Sequence, residues 1–135
     1  MTAPTRREFR VSSLFEPISH YTDAVALGDL LFVSGCAATD ESGGIVGGDD
    51  AAAQARQALS NLVSVLEAAG SSIREVLKMT VYLTDINDRE KINPVRQEFF
   101  GDVRPASTLI EISRLAIPGA RVEIELIARI PDGTA

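Results

Sequence analysis

The feature that most restricts the fold is a change of hydrophobic period in the middle of the chain. From Asp50 to Ala69, apolar residues recur at spacings of three and four, as they do along one face of an amphipathic helix. From Glu75 to Leu83, apolar and polar residues alternate instead, as in a strand with one face in a core. A helix followed so closely by such a strand predicts a layer of helix packed on a sheet.

Four further strands are predicted around this central unit. Tyr21–Leu27 and Leu30–Ala37 are separated by Gly28 and Asp29, which favours a hairpin with a two-residue turn. Ser107–Ser113 and Arg121–Ile130 alternate apolar and polar residues and predict the last two strands. The outward faces of these last strands are part polar and part apolar, which is typical of a sheet face that meets another subunit.

A second, shorter helix is predicted between the central strand and the last two strands. Proline lacks a backbone N–H and is best tolerated at the first position of a helix. We therefore expect Asn93 to be the N-cap, Pro94 the first helical residue, and the helix to end before Gly101. The complete order predicts an α+β fold, with one sheet and two helices on one of its faces.

The length of 135 residues predicts a single domain with one substantial core. The core is expected over about residues 17–130, while residues 1 to about 7 and 131–135 are expected to be loose ends. The chain contains no apolar run near the roughly 18 residues that span a membrane. Its N-terminus has two arginines without an apolar stretch behind them, so no secretory signal is predicted.

Charge and rare residues exclude several classes of function. With 13 Lys and Arg against 19 Asp and Glu, the net charge is −6, which disfavours binding to nucleic-acid phosphates. One cysteine and one histidine cannot form an internal disulfide or a Cys/His zinc site. We therefore expect a cytoplasmic protein without metal or cofactor, and without nucleic-acid or membrane partners.

Generic catalytic motifs are absent, because the chain has no phosphate-binding loop, GxSxG, HExxH or CxxC. Cys36 has two interpretations. It is either a nucleophilic or redox-sensitive thiol, or a small hydrophobic residue of a core strand, and the second is the commoner role.

Three stretches of sequence together make the prediction of family and function more specific. GDLLFVSGCAA resembles the glycine-containing hairpin of the Rid (YjgF-type) reactive-intermediate deaminase family. The segment from AAAQARQALSNL to NPVRQEFF resembles the central helix, strand and second helix of that family. RPASTLIEISRLAIPGARVEIELIA resembles its C-terminal signature. The resemblance implies a chorismate-mutase-like α+β subunit, a homotrimer with ligand clefts between subunits, and hydrolysis of enamines and imines to ketones and ammonia without a cofactor.

The resemblance also implies roles for individual residues. Glu123 matches a carboxylate that the family places near the reacting nitrogen or water, so it is the predicted catalytic base. Tyr21 matches an aromatic residue of the ligand pocket, and Asn93 matches a polar residue at the head of the second helix. Leu109 matches a position whose backbone faces the ligand. For Glu123 and Tyr21 the plainer alternative is that they pair or pack without touching a ligand.

The chain departs from the family at the position that binds the substrate carboxylate. Where the family has an arginine that holds the substrate carboxylate, this chain has Ser107, which offers one neutral donor in place of a charged fork. Ser107 is either a working residue of the catalytic site or the mark of a degenerate one. Arg104 either reaches the cleft or is solvated. His20 replaces the usual proline before Tyr21 and is either a proton carrier near the cleft or an exposed loop residue.

These residues predict a hydrolytic deaminase of small reactive enamines or imines. The missing arginine argues against a 2-aminoacrylate-type acid and in favour of another imine, such as an aminomuconate-like or pathway-specific intermediate. The alternative is a non-catalytic trimer of the same fold that binds a metabolite or a partner protein.

Overall fold

The structure is a computed structural model that describes residues 3–132. The strands are β1 (Arg6–Phe9), β2 (Ala24–Leu27), β3 (Leu30–Cys36), β4 (Val76–Leu83), β5 (Ala106–Glu111) and β6 (Val122–Arg129). The helices are α1 (Ala51–Ala68) and α2 (Arg89–Phe100), and short 3-10 turns at Ile73–Glu75 and Ile86–Asp88 precede β4 and α2. None of these helices is long and apolar enough to cross a membrane.

The strands form one six-stranded sheet in the order β1-β2-β3-β6-β4-β5. Neighbouring strands are antiparallel except β4 and β5, which are parallel. Both helices pack on one face of this sheet, where the apolar stripe of α1 meets the inward residues of the central strands. Two helices on one face of a single sheet confirm the predicted α+β architecture.

Helix α1 agrees with its prediction because its signals are local. The Asp50 side chain accepts a hydrogen bond from the Ala53 backbone N–H at 3.1 Å and caps the first turn. Gly70 adopts a φ of 82°, and the Ser71 N–H then reaches the Leu66 carbonyl at 2.8 Å. Such a glycine closes a helix without the steric strain that a Cβ would bring.

The N-terminal segment differs from its prediction. Residues 6–9 form β1, an edge strand paired with β2, so the expectation of a loose end up to residue 7 was wrong. Three of its four residues are charged, which hid the strand in the sequence. Residues 1–2 and 133–135, which were also predicted as loose ends, lie outside the described residues.

Helix α2 begins five residues earlier than predicted, at Arg89 and not at Pro94, so Asn93 is not its N-cap. Pro94 lies inside the helix and is exposed, as is Glu90, whose carbonyl loses its helical partner at the proline. That carbonyl lies in the first turn and is open to water, which lowers the cost of the missing bond. Burial of Ile92 in the core holds the first turn in place.

Several predicted strand ends shift by one to three residues. β2 begins at Ala24, so Tyr21 lies in the loop before it. β5 begins one residue earlier than predicted and ends at Glu111 in place of Ser113. The alternation of β6 is as predicted, with Val122, Ile124, Leu126 and Ala128 buried.

The face of the sheet opposite the helices is here called the open sheet face. It carries exposed apolar side chains from four strands, which are Leu27, Leu30, Phe32 and Ile110 together with the neighbouring Leu77 at the irregular start of β4. Phe32, for example, is 47% exposed. An apolar patch of this kind on a small domain is typical of a surface that meets another protein.

Candidate functional site

A cleft of about 360 Å³ opens where β3 leaves its regular pairing with β6. The pairing register shifts between Val33 and Cys36, and this irregularity separates the two strands at the mouth of the cleft. The walls come from the loop before β2, the end of β3, Asn61 of α1, the loop at residues 116–117 and Glu123 of β6. Irregular strand ends of this kind commonly place side chains at functional sites.

Glu123 is the half-buried carboxylate of this cleft, and it lies directly over Gly35. A Cβ at position 35 would come within 2.6 Å of the Glu123 Oε2 atom, so a larger residue there would displace the carboxylate from its present position. Burial raises the pKa of Glu123, and the nearby charge of Glu125 raises it further. Within residues 3–132 no cation forms an ion pair with it. A carboxylate in these surroundings is suited to accepting a proton.

The second acid of β6 has a different environment. Glu125 is exposed and accepts a hydrogen bond from the Tyr82 hydroxyl at 3.0 Å. Both acids lie on the open sheet face, because Glu123 pairs with Tyr82 and Glu125 with Thr80 across β4. Only Glu123 lines the cleft.

Asp23 also lines the cleft, but its carboxylate is used in holding the fold. Its Oδ2 atom accepts the Val11 backbone N–H at 2.7 Å and the Arg10 Nη1 at 2.9 Å. These bonds attach the segment after β1 to the start of β2. Tyr21 lies close by, lines the cleft and is 49% exposed, so its ring is available to a ligand.

Cys36 lies in the same wall, where burial raises the pKa of its thiol to about 12. The negative charges of Asp23 and Glu123 add to this effect. A thiol with such a pKa is protonated at neutral pH and is a poor nucleophile. The structure therefore favours the interpretation of Cys36 as a small hydrophobic residue. His20 is exposed and lies beside the cleft, next to Tyr21, without lining its wall.

The other predicted residues lie elsewhere in the chain. Asn93 and Arg104 line a groove of about 660 Å³ between α2 and the segment that leads into β5. Ser107 lies at the start of β5 and accepts a hydrogen bond from the Arg96 Nη2 atom at 2.8 Å. The Leu109 side chain packs against the core, and its backbone belongs to β5, which is an edge strand.

The two sets of residues do not meet within one chain. Ser107 pairs with Met79 and Glu123 pairs with Tyr82 on β4, and residues three apart in a strand point to opposite faces. The strands that carry Ser107 and Glu123 are also separated by β4. The cleft therefore brings together Tyr21 and Glu123. The groove brings together Asn93 and Arg104, and Ser107 lies beside it through its hydrogen bond with Arg96.

Two residues at these sites were not predicted from the sequence. Gly35 is required by the close approach of Glu123, which pairing between β3 and β6 creates. Arg96 follows Asn93 by one helical turn and so shares its helix face. The prediction made Asn93 the N-cap and Pro94 the first helical residue, so it did not place Asn93 and Arg96 on one face of a helix. Within residues 3–132, no group of three or more His, Cys, Asp or Glu side chains could hold a metal ion.

Comparison with known proteins assigns the family. The family model described as "Endoribonuclease L-PSP" matches residues 11–130. The chain is 42% identical over 113 residues to a RutC family protein of Pyrococcus horikoshii, a match that covers 84% of this chain and 89% of the relative. The chain therefore belongs to this family, which is the YjgF-like or Rid family, as its sequence predicted.

Named enzymes and solved structures are among the relatives. The chain is 33% identical over 128 residues to the 2-iminobutanoate/2-iminopropanoate deaminase of Homo sapiens, covering 95% of this chain and 93% of that enzyme. A Rid family protein of Yersinia pestis superimposes with a TM-score of 0.86 at 31% identity, covering 93% and 99% of the two chains. TdcF of E. coli with bound serine gives a TM-score of 0.83 at 32% identity, covering 91% and 98%. Deaminase activity on imines thus occurs in this family.

Proposed function

We propose that this protein is a hydrolytic deaminase that converts small reactive enamines or imines into carbonyl compounds and ammonia. One observation carries the proposal: Glu123, half-buried, with a raised pKa and without an ion-pair partner in residues 3–132, lines a cleft beside Tyr21. The relatives named as imine deaminases support the same chemistry.

The proposed reaction needs no cofactor, because an iminium carbon is already electrophilic. Glu123 accepts a proton from a water molecule as the water oxygen bonds to that carbon, which gives a carbinolamine. Glu123 then returns the proton to the nitrogen. Ammonia leaves with the electron pair of the carbon–nitrogen bond, the carbonyl group forms, and the hydroxyl proton passes to solvent. The main contribution of the protein is to orient the imine and the water.

We further propose that the working form is a homotrimer in which each site is completed by a neighbouring subunit. Glu123 and Ser107 lie on opposite faces of the sheet, with β4 between their strands. A substrate of a few atoms cannot touch both within one chain, whose adjacent strands are about 4.8 Å apart. The exposed apolar residues of the open sheet face provide a surface on which the subunits would pack.

The substrate that we propose is not a simple 2-aminoacrylate-type acid. Ser107 offers a neutral hydroxyl where the strand would need a cation to hold a short carboxylate. An aminomuconate-like or other pathway-specific imine, held at another point, fits the departure better. RNA is a poor candidate despite the family description, because the protein carries a net charge of −6 and the cleft is lined by Glu16, Asp23 and Glu123. We likewise propose a cytoplasmic location.

The test is release of ammonia from a panel of imines generated in situ by amine and amino-acid oxidases. Glu123→Gln keeps the shape of the side chain but cannot take up the proton, so we expect a loss of about 100- to 10,000-fold. Glu125→Gln, two residues away on the same strand face, is the matched control. It should retain the wild-type rate at the plateau of the pH–rate profile.

Two results would contradict the proposal. A Glu123→Gln variant within about threefold of wild type would make Glu123 structural on the scale of general-base effects. Wild-type protein that accelerates hydrolysis of no imine, yet binds a metabolite stoichiometrically, would favour the non-catalytic alternative. Light scattering checks the assembly separately, because a monomer mass at micromolar concentration would exclude the trimer.

A further inference from the structure

Arg96 is a half-buried cation that has no ion-pair partner among residues 3–132. It extends from α2 into the groove beside β5, is half-buried, and donates from Nη2 to the Ser107 Oγ at 2.8 Å. Among residues 3–132, its other guanidinium N–H groups have no hydrogen-bond acceptor, and no carboxylate forms an ion pair with it. A guanidinium normally makes several charged hydrogen bonds, so the remaining N–H donors of Arg96 can bind a ligand.

The surroundings of Arg96 favour an incoming anion. Burial without a neighbouring acid lowers the pKa of Arg96, which shows that desolvation of the charge is not offset. Arg104 lies in the same groove and adds a second positive charge. Asp102 is the one acid on the groove wall, and among the ion pairs of residues 3–132 it makes none with either arginine. Asn93, one helical turn before Arg96, adds an amide to the same wall.

Given the proposed deaminase function, we propose that Arg96, oriented by Ser107, is the residue that binds the carboxylate of the substrate. One N–H is engaged by the Ser107 hydroxyl, and the remaining donors form a fork that matches the two oxygens of a carboxylate. Ser107 is then a positioning residue of the site, because it holds the guanidinium in one orientation.

The place of Arg96 bears on the class of substrate. Its charge comes from α2, whereas a cation at residue 107 would come from β5. In the proposed trimer, a carboxylate bound by Arg96 would therefore lie at a different distance from Glu123 of the neighbouring subunit. The expected substrate is therefore an imine whose carboxylate stands at a different separation from the reacting carbon than in 2-aminoacrylate, and the test below uses one with more bonds between them. An arginine fork should strengthen its binding about tenfold to a hundredfold.

The experiment compares a charged and a neutral imine of one skeleton. An amine oxidase produces both in situ, from 4-(aminomethyl)benzoate and from benzylamine. We expect Arg96→Gln to raise KM for the carboxylated imine about tenfold to a hundredfold while kcat/KM for the neutral imine stays within threefold. Arg96→Lys keeps the charge but not the two-pronged geometry, so its KM for the carboxylated imine should lie between those of wild type and Arg96→Gln. Arg74→Gln, on an exposed 3-10 turn, controls for the loss of one positive charge.

Calorimetric binding of 4-formylbenzoate, the carbonyl product, tests the same subsite without turnover. If no imine is hydrolysed but binding weakens in Arg96→Gln, the carboxylate subsite stands and the deaminase function falls. If hydrolysis proceeds and Arg96→Gln changes neither KM nor binding, the subsite proposal is overturned and the deaminase function stands. Loss of carboxylate binding in Arg104→Gln and not in Arg96→Gln overturns it as well.

A double variant guards against a folding defect in Arg96→Gln. Combining Arg96→Gln with Ser107→Arg moves the cation from α2 to β5, where residue 107 is exposed. We expect this variant to bind carboxylates again while its preference shifts toward short 2-imino acids. Recovery of binding with an unchanged preference would show that the position of the charge does not select the substrate.

Discussion

Replacing Gly35 by alanine tests whether the position of Glu123 matters for its chemistry. The added Cβ would lie 2.6 Å from the Glu123 Oε2 atom and 2.9 Å from its Cδ atom. Since ordinary van der Waals contact begins at 3.4 Å, the carboxylate has to move by about 3.4 − 2.6 = 0.8 Å. A displacement near 1 Å costs about a hundredfold in rate when the displaced group must meet a reacting atom.

The same substitution should leave the fold almost unchanged. Gly35 does not have a positive φ, so its backbone conformation is open to alanine. The atoms in the way belong to the end of a flexible side chain, which can rotate into the cleft. A glycine-to-alanine change at a compatible position alters the free energy of unfolding by less than about 1 kcal/mol. We therefore expect a catalytic defect without a stability defect.

The assay measures ammonia release and urea unfolding on the same preparations of Gly35→Ala. Gly44→Ala is the control, because its Cβ would lie 3.2 Å from an Asp40 carboxylate oxygen outside the cleft. Activity of Gly35→Ala within threefold of wild type would refute the reasoning, since the carboxylate would then tolerate displacement. A parallel collapse of stability would show that Gly35 serves packing and not the position of Glu123.

Three further predictions concern residues around the cleft and the core. Gln54→Met should reduce the free energy of unfolding by about 2–3 kcal/mol, because the buried amide makes three hydrogen bonds to backbone groups. Urea unfolding measures this loss, and a loss below about 0.5 kcal/mol would contradict the prediction. Glu125→Gln should shift the acidic limb of the pH–rate profile to lower pH, because removing a like charge lowers the pKa of Glu123; an unmoved limb would mean that another group titrates. Cys36 should react with iodoacetamide at pH 7.5 far more slowly than free cysteine, since its pKa is about 12, and Cys36→Ala should keep activity. Rapid alkylation would contradict this, because it would show a thiolate in the cleft.

Local patterns in the sequence were enough for the central elements and the architecture. The apolar stripe, Asp50 cap and Gly70 of α1 lie within one segment, so they act through contacts between near neighbours along the chain. The alternation of β6 likewise reports which side chains face the core. Glu123 was singled out by its place in a family motif, and the structure sets it in a cleft.

Features that depend on distant partners were decided only by the tertiary structure. β1 exists because it pairs with β2, and α2 extends back to Arg89 because burial of Ile92 outweighs the local signal of Pro94. Local propensity amounts to fractions of a kcal/mol per residue, whereas burial of one large apolar side chain contributes about 1.5–3 kcal/mol.

The candidate site shows the same division. The contact between Arg96 and Ser107, and the passage of Glu123 over Gly35, join residues from different elements. Periodicity reports the structure of one segment at a time and carries no information on which segments meet. The separation of the site residues into a cleft and a groove therefore follows from the strand order of the sheet, which only long-range packing determines.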